Sequence, residues 1–600
     1  MDIKQVFTFT VVLISLFACT NKSDKNKPNI IFIIADDQGY GDLGHTGNPY
    51  VKTPALDQFS AESINLTNYH VGTTCAPTRA GIMTGRNCNR NGVWHTIMGA
   101  SILNPDELTM AEVFQQNGYK TNMIGKWHLG DNTSYFPQDR GFDEAFYHGG
   151  GGVGQGPDYW NNDYFDDTYF RNGNPEKQEG YCTDVWFNEA LDFMERNTDQ
   201  PFFCYLSTNA PHGPFNVPEA YYNRYKDVEG ITEDQKRFYA MISNLDDNFA
   251  RLEAKLEELD LAENTILMYT TDNGTARGIQ IHKKTNARMG YNAGMRGTKG
   301  SEYDGGHRVP MIIRWPKGGL AGGKKLNELM AHVDLLPTLA KLSGIAFTPK
   351  KKLDGADASL YLRGKAKLPE RFLVTDTQRV QWLKKGKKSC VMKGHWRLVN
   401  GKELYNIADD HGQENNIAVE HPDLVSEMNT FYNQWWDDVM QEAKFSYIPL
   451  GGSEAPEVIF AHDAHTGSQP SVWNQRQIRQ AKDMDPAPFF VDVKEAGTYQ
   501  FKLRRWPKES QLALGAKADD AQTKTPWFNG VVEGKALEFT QAHIRLGERE
   551  LKKGVDNQAK EILFELQVPT GKTQLTVWFD LKNGEKLNAY YVEVDKIGNE

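Results

Sequence analysis

Cys75-Ala76-Pro77-Thr78-Arg79 sets a thiol, a helix-favouring proline and a guanidinium within about one turn of chain, and Ala80-Gly81-Ile82-Met83-Thr84-Gly85-Arg86 follows directly. Proline at the third place pre-sets φ for a first helical turn, so the spacing predicts Cys75 at a helix N-terminus. Unpaired backbone N–H groups there favour an anion, and Arg79 adds a fixed positive charge one turn along. A C-x-P-x-R string alone would arise by chance in roughly one chain of this size in a hundred. Its meaning therefore rests on its company.

Four other segments carry polar side chains just beyond a short apolar run. Asn29 to Ala35 leads into Asp36-Asp37-Gln38-Gly39, and Thr121 to Gly125 into Lys126-Trp127-His128-Leu129-Gly130. Phe202 to Leu206 leads, after four residues, into Pro211-His212-Gly213-Pro214, and Thr265 to Thr271 into Asp272-Asn273-Gly274. Continuous apolar runs of this length, closed by glycine or proline, read as buried strands of a parallel sheet. Ligands of open α/β sheets bind beyond the carboxyl ends of the strands, so carboxylates, an amide, a lysine and two histidines converge on one rim. Asp36, Asp37, Asp272 and Asn273 make an all-oxygen set with three carboxylates, suited to calcium or magnesium rather than zinc.

These residues resemble the sulfatase family of the alkaline phosphatase-like superfamily over roughly residues 29–445. The resemblance runs through Asp36-Asp37, the cysteine block, Gly125 to Gly130, Pro211-His212 and Asp272-Asn273-Gly274. It continues in Arg296-Gly297-Thr298-Lys299-Gly300, Gly305 to Pro310, and His332 to Leu339. The family's usual tryptophan–acid–glycine triplet is Tyr303-Asp304-Gly305 here, and His307 stands where an apolar residue is usual. The resemblance implies an α/β fold, with a large mixed, mostly parallel sheet sandwiched by helices and a small antiparallel C-terminal subdomain. It also implies that a maturation enzyme oxidises Cys75 to formylglycine. Asp36, Asp37, Asp272 and Asn273 then hold a cation, calcium before magnesium, that also touches residue 75. One hydroxyl of the aldehyde hydrate attacks sulfur and displaces the alcohol. His212 and Lys299 bind the sulfate and are the candidates to protonate the leaving oxygen. Arg79 and Lys126 orient and neutralise the transferring group, and His128 takes the proton that lets the sulfated hydrate collapse to aldehyde and free sulfate.

The first residues speak to location. Met1 to Lys4 is a weakly basic start, and Val6 to Phe17 is an apolar run too short for a membrane span. Residues 1–18 read as a signal peptide. Leu16-Phe17-Ala18-Cys19 resembles the lipobox of bacterial lipoproteins, which makes Cys19 a lipidation site, 19–28 a tether, and a lipid anchor the only membrane contact. The expected location is the periplasm, outer membrane or cell surface. Six cysteines in 600 residues are too few for a disulfide framework, though they leave room for a single bridge. A net charge of −10 with no basic block argues against nucleic acid.

The catalytic part is expected over 29–345, closing with a helix from Leu335 to Leu342, and a subdomain of short strands and one helix over 346–445. Thr232 and Gln235 form a capping box before an apolar stripe from Phe238 to Leu259 at helical spacing. Gly394 to Tyr405 reads as a hairpin of the subdomain. Residues 451–600 lie beyond the resemblance. The alternation Tyr499-Gln500-Phe501-Lys502-Leu503 and the runs Leu575 to Phe579 and Tyr590 to Val594 read as strands of an accessory β-sandwich, which either binds glycan or buttresses the active-site rim.

Between Asn132 and Tyr181 lie a glycine run, Gly149 to Gly152, and an acidic-aromatic cluster, Asp158 to Asp167. That cluster is either a sugar-contacting loop or a loop burying its own rings. The expected substrate is a sulfated polysaccharide or its oligosaccharides, algal ulvan, carrageenan or fucoidan before host glycosaminoglycan or mucin. Alternatives are a phosphonate or phosphodiester hydrolase of the same superfamily, a general arylsulfatase, or a non-enzymatic sulfated-glycan-binding lipoprotein.

Overall fold

The computed structural model describes residues 27–281, 288–376, 378–452, 457–467, 469–482 and 485–598. The signal segment, Cys19 and all but the last two residues of the tether lie outside these residues. A ten-stranded mixed sheet forms the centre of the catalytic part. Its middle strands, Thr265–Thr271, Asn29–Ala35, Phe202–Ser207, Lys120–Lys126 and Glu144–His148, lie side by side in that order and run parallel. Met311–Arg314 adds antiparallel at one side, Thr168–Arg171 and Asn174–Lys177 at the other.

Every residue of Asn29–Ala35 is buried, as its unbroken apolar run demands. Side chains of a strand alternate between faces, and here each face has its own core. Ile30, Phe32 and Ile34 pack with helices Cys75–Thr84 and Leu335–Leu342. Ile31, Ile33 and Ala35 pack with Cys182–Arg196 and Glu233–Glu258. The last helix opens at the expected capping box, Thr232 accepting from the Gln235 backbone N–H, and buries Phe238, Met241, Ile242, Leu245, Phe249, Leu252 and Leu256. Leu259 falls just past its end. Register aligns the carboxyl ends: Ala35 pairs with Thr271, Ile34 with Ser207, and Gly125 with Ser207. Whatever follows these strands is delivered to one rim.

Beyond the catalytic sheet, strands Phe372–Thr375, Cys390–Lys393, Trp396–Val399 and Glu403–Asn406 form an antiparallel sheet containing the expected hairpin. Helix Pro422–Val439 packs on it through Met428, Tyr432 and Trp436. A four-residue helix, Ser359–Leu362, precedes it, so the described residues of the segment hold two helices where one was expected. The C-terminal region is a pair of sheets sharing one core. Phe489, Ile544, Val577 and Phe579 come from one sheet, Phe501, Phe564 and Val592 from the other. Strand Gly497–Arg504 shows the predicted in-and-out burial. Ile102, Tyr135 and Trp160 of the catalytic part join that same core, so the sandwich is docked through apolar contact.

The acidic-aromatic cluster is the seat of that dock. Trp160 is buried against Trp506 with ring centroids 5.4 Å apart, Asn161 Nδ2 donates to Asp520 over 2.6 Å, and Tyr164 is fully buried. Asp158 and Asp167 are buried as well. The Trp160 and Tyr164 rings therefore serve packing, whereas Tyr159 and Phe165 are half-buried and Asn161, Asn162 and Asp163 line a cleft with His212 and Lys299. Cys75, Cys88, Cys182, Cys204 and Cys390 are all free thiols, so no bridge joins the described cysteines. Among the described residues no helix is long and apolar enough to cross a membrane.

Candidate active site

Cys75 opens helix Cys75–Thr84, as the proline spacing predicts. The residue before it, Thr74, is extended and makes no side-chain capping bond, so first-turn N–H groups stay available at the cleft. Atoms of Asp36, Cys75 and Asp272 that could ligate a metal lie within 4.8 Å of one another, as do those of Asp36, Asp37 and His212. Strand-end register thus converts sequence-distant residues into one cluster.

Two fully buried ion pairs brace it. Arg79 donates from Nε and Nη2 to Asp272 Oδ2 over 3.0 and 2.7 Å, and from Nη1 to the Lys126 carbonyl over 3.1 Å. Lys126 Nζ donates to Asp36 Oδ2 over 2.7 Å. Ser207 accepts from Arg79 and donates to the Lys126 carbonyl, a role that nothing in its sequence context announced beyond its place at a strand end. Lys299 pairs with Asp37 Oδ1, and Asn273 Nδ2 donates to the same oxygen over 2.9 Å. Asp37 adopts φ 71°, a strained choice for a non-glycine residue that turns its carboxylate into the cluster.

Charges shift accordingly. Burial alone would raise the Asp37 carboxyl, but Lys299, His212 and Lys126 hold it well below the usual carboxylate range. Burial and the Asp36 charge push Asp272 upward against the pull of Arg79. Burial would lower Lys299, yet Asp37 keeps it above the ordinary lysine value. The donor set fits a hard divalent cation: Asp36 Oδ1 and Asn273 Oδ1 are buried with no hydrogen-bond partner, facing the site with unused lone pairs. Such orphaned oxygens among carboxylates are costly unless a cation satisfies them.

The two histidines stand apart from the ion pairs. His212 Nδ1 lies 2.7 Å from the Gly213 carbonyl, so that nitrogen carries the hydrogen and Nε2 is left bare, 3.8 Å from Asp37 Oδ2. Burial, with Lys299 and Lys126 adding to it and Asp37 opposing, brings His212 down to about 3. His128 adopts φ 61°; its Nε2 lies 3.0 Å from the Thr96 carbonyl and its Nδ1 is buried without a partner. Burial and the nearby Lys126 charge hold it well below the usual histidine value, so it is a neutral base with a free lone pair. The glycine run lies against both rings. A Cβ at Gly151 would sit 2.2 Å from His128 Cε1, and one at Gly152 would sit 3.1 Å from His212 Nδ1. Only glycine allows that approach at residue 151.

The departures at 303–307 also find a physical reason. The Tyr303 hydroxyl donates to Glu403 over 2.8 Å beside the retained Asp304, which is buried and paired with buried Arg397 at 2.9 Å, and His307 Nδ1 lies 2.9 Å from His70 Nδ1. The Val71 backbone N–H donates to the His307 carbonyl over 2.8 Å. His307 thus braces the strand end that leads to Cys75, with a polar partner where an apolar residue would have had none.

All predicted site residues within the described chain meet at this rim: Asp36, Asp37, Cys75, Arg79, Lys126, His212, Asp272, Asn273 and Lys299 by direct contact or shared cluster, His128 through Gly151. Tyr164 entered the sequence reading only as a member of the 158–167 cluster, with no part in the site. Its buried hydroxyl lies 2.6 Å from the His212 carbonyl and 3.2 Å from that of Asn209, fixing the loop that carries His212.

Residues 28–345 match the family model described as Sulfatase. Arylsulfatase G of Mus musculus is 32% identical over 394 residues, covering 60% of this chain and 73% of that protein. N-acetylgalactosamine-6-sulfatase of Homo sapiens is 30% identical over 352 residues, covering 55% of this chain and 64% of that protein. The crystal structure of Ps i-CgsB in complex with k-i-k-neocarrahexaose is similar at 26% identity and a TM-score of 0.61, covering 70% of this chain and 95% of that one.

Proposed function

The chain belongs to the sulfatase family and is a sulfuric ester hydrolase, and from that premise we propose that it desulfates a sulfated polysaccharide or its oligosaccharides. The observation that carries the reading is Cys75 at an uncapped helix start with its Sγ inside the Asp36–Asp272 cluster. Algal galactan sulfates, carrageenan first, are the substrates to test, supported by the similarity to a protein solved with a neocarrahexaose. Calcium, with magnesium second, belongs at Asp36, Asp37, Asp272 and Asn273, where it would supply positive charge to the sulfate oxygens and to the nucleophile. Formylglycine at residue 75, made by a maturation enzyme, would supply a hydroxyl nucleophile that a thiol cannot replace.

The chain's own groups do the rest. Arg79 and Lys126, locked by Asp272 and Asp36, present fixed positive charge where a charge-spread transition state develops. Lys299 and His212 line the cleft mouth and bind the sulfate from the leaving-group side. His212 is neutral in the free site, and a sulfate anion against it favours its protonated form, from which it donates a proton to the leaving oxygen. Lys299, held above the usual lysine value, is the weaker acid and assists by charge. His128 Nδ1 accepts a proton from residue 75. On the strength of Leu16-Phe17-Ala18-Cys19 we place the enzyme outside the cytoplasm, lipidated at Cys19.

The test is sulfate release from purified polysaccharides, with and without prior lyase digestion, by protein co-produced with a formylglycine-generating enzyme. Cys75→Ala should abolish release, and peptide mass spectrometry should find an aldehyde at residue 75. Full activity with an intact thiol there would overturn the mechanism.

A further inference from the structure

A cleft of about 790 Å³ opens from the site, and its lining mixes two sources. Asp37, His212 and Lys299 come from the catalytic rim, whereas Trp473, Arg476 and Lys524 come from the accessory sandwich, which the family model does not reach. The volume is that of a built small-molecule site, larger than one sulfate group needs.

The sandwich loops are fixed there by specific bonds. Gln475 Nε2 donates to the carbonyls of Gln155, Asp158 and Tyr159 over 3.3, 3.2 and 3.0 Å, and the Gln475 N–H to that of Gly154 over 2.9 Å. The Gly156 N–H answers by donating to the Trp473 carbonyl over 3.0 Å. Farther along, the Asn529 N–H donates to Asn216 Oδ1 over 2.8 Å and the Val217 N–H to the Trp527 carbonyl over 3.1 Å. Catalytic loops and sandwich loops are knitted on both sides of the cleft.

Charge is distributed unevenly along this lining. Arg479 is paired with Asp520, and Asp234 with Arg237. Asp163 accepts from the Phe165 N–H and from Gln522. Arg476 and Lys524 are exposed, and their side chains have no hydrogen-bond or ion-pair partner among the described residues. Free cations at the mouth of a sulfate site, on a chain of net charge −10, are a local reversal of sign that solubility does not call for.

We propose that the accessory sandwich supplies a recognition wall, in which Arg476 and Lys524 bind anionic groups flanking the scissile sulfate and Trp473 offers a ring to the adjoining sugar. This rests on the polysaccharide reading and narrows it: the preferred substrate is an oligosaccharide with at least one further sulfate or carboxylate near the one removed. Guanidinium forks match sulfate oxygens in pairs, and the ammonium adds a mobile point charge.

The experiment compares full-length matured enzyme with R476A/K524A on a multiply sulfated carrageenan oligosaccharide and on 4-nitrophenyl sulfate, at low and high salt. The oligosaccharide KM should rise about tenfold with kcat nearly unchanged, and the aryl ester should be unaffected. The variant should also lose most of the wild-type salt dependence, Arg476→Lys should restore part of the affinity, and R476E/K524E should weaken it further. An unchanged oligosaccharide KM, or equal losses on both substrates, overturns the recognition wall. Wild-type enzyme that hydrolyses the aryl ester but releases sulfate from no glycan overturns the polysaccharide reading instead.

Discussion

The strand-end rim from which the cleft opens, the first wall of the site, holds its charges buried and paired, Arg79 on Asp272 and Lys126 on Asp36, whereas the sandwich wall holds the Arg476 and Lys524 side chains exposed and unpaired. Buried pairs cost desolvation when the chain folds, but they then need no reorganisation when charge develops on a transferring group. Exposed cations cost little and are screened by salt, so they suit recognition of a polyanion and contribute little to chemistry. Damage to the first wall should therefore appear in kcat and in folding stability, and damage to the second in KM.

The sharpest way to break this contrast is Asp272→Ala. It strands the Arg79 guanidinium without a counter-charge and removes a ligand from the cation set. Breaking a buried pair this way destabilises by about 3–5 kcal/mol, and kcat should fall on the order of 10³-fold. Added calcium should raise the Tm of the wild type by mass action and leave that of Asp272→Ala unchanged. A variant that keeps both its Tm and its calcium response would show that the carboxylates are structural only.

His212 and His128 test the same wall one step out. His212→Ala should cost a sugar sulfate, whose alkoxide leaves poorly, about 10²–10⁴-fold in kcat, and an activated aryl sulfate far less. Equal losses would reduce His212 to a sulfate ligand. For His128 the sign follows from its neutral working form. Because its pKa lies below the ordinary 6.5, protonation removes the base only in acid. The acid limb of kcat on an aryl sulfate, the parameter that includes the step after the alcohol has left, should fall below pH 6.5, with no loss from there to neutrality. An acid limb centred above that value would contradict the buried, cation-flanked environment.

How much of this was legible in the residues differs between the walls for a physical reason. Asp36-Asp37, Lys126 and Asp272-Asn273 close or follow buried strands directly, so place in the chain equals place on the rim. His212 lies five residues past its strand, and Ser207 ends that strand with no motif of its own. The sandwich appeared as alternating strands, yet Trp473, Arg476 and Lys524 reach the cleft only by docking, through contacts such as Gln475 on the Gln155 carbonyl that no local pattern encodes. The cluster at 158–167 left two readings open. Its composition fits a sugar-contacting loop as well as one burying its rings, and only tertiary packing on Trp506 shows Trp160 to be interior. His307 was visible as a departure, but its partner His70 lies 237 residues away.

Tyr164 gives the smallest test and decides to which wall the 158–167 segment belongs. Tyr164→Phe keeps the buried ring and removes only the hydroxyl that spans the His212 and Asn209 carbonyls. Leaving the buried His212 carbonyl short of a donor costs about 1–2 kcal/mol. Part of that should fall on the placement of the His212 loop, lowering kcat on a sugar sulfate by about fivefold with a modest drop in Tm. Because the ring itself is inaccessible, the KM for a multiply sulfated oligosaccharide should stay at its wild-type value, in contrast to R476A/K524A. If Tyr164→Phe instead raised that KM and spared kcat, the segment would belong with the recognition wall, and its burial in the free enzyme would have to give way when glycan binds.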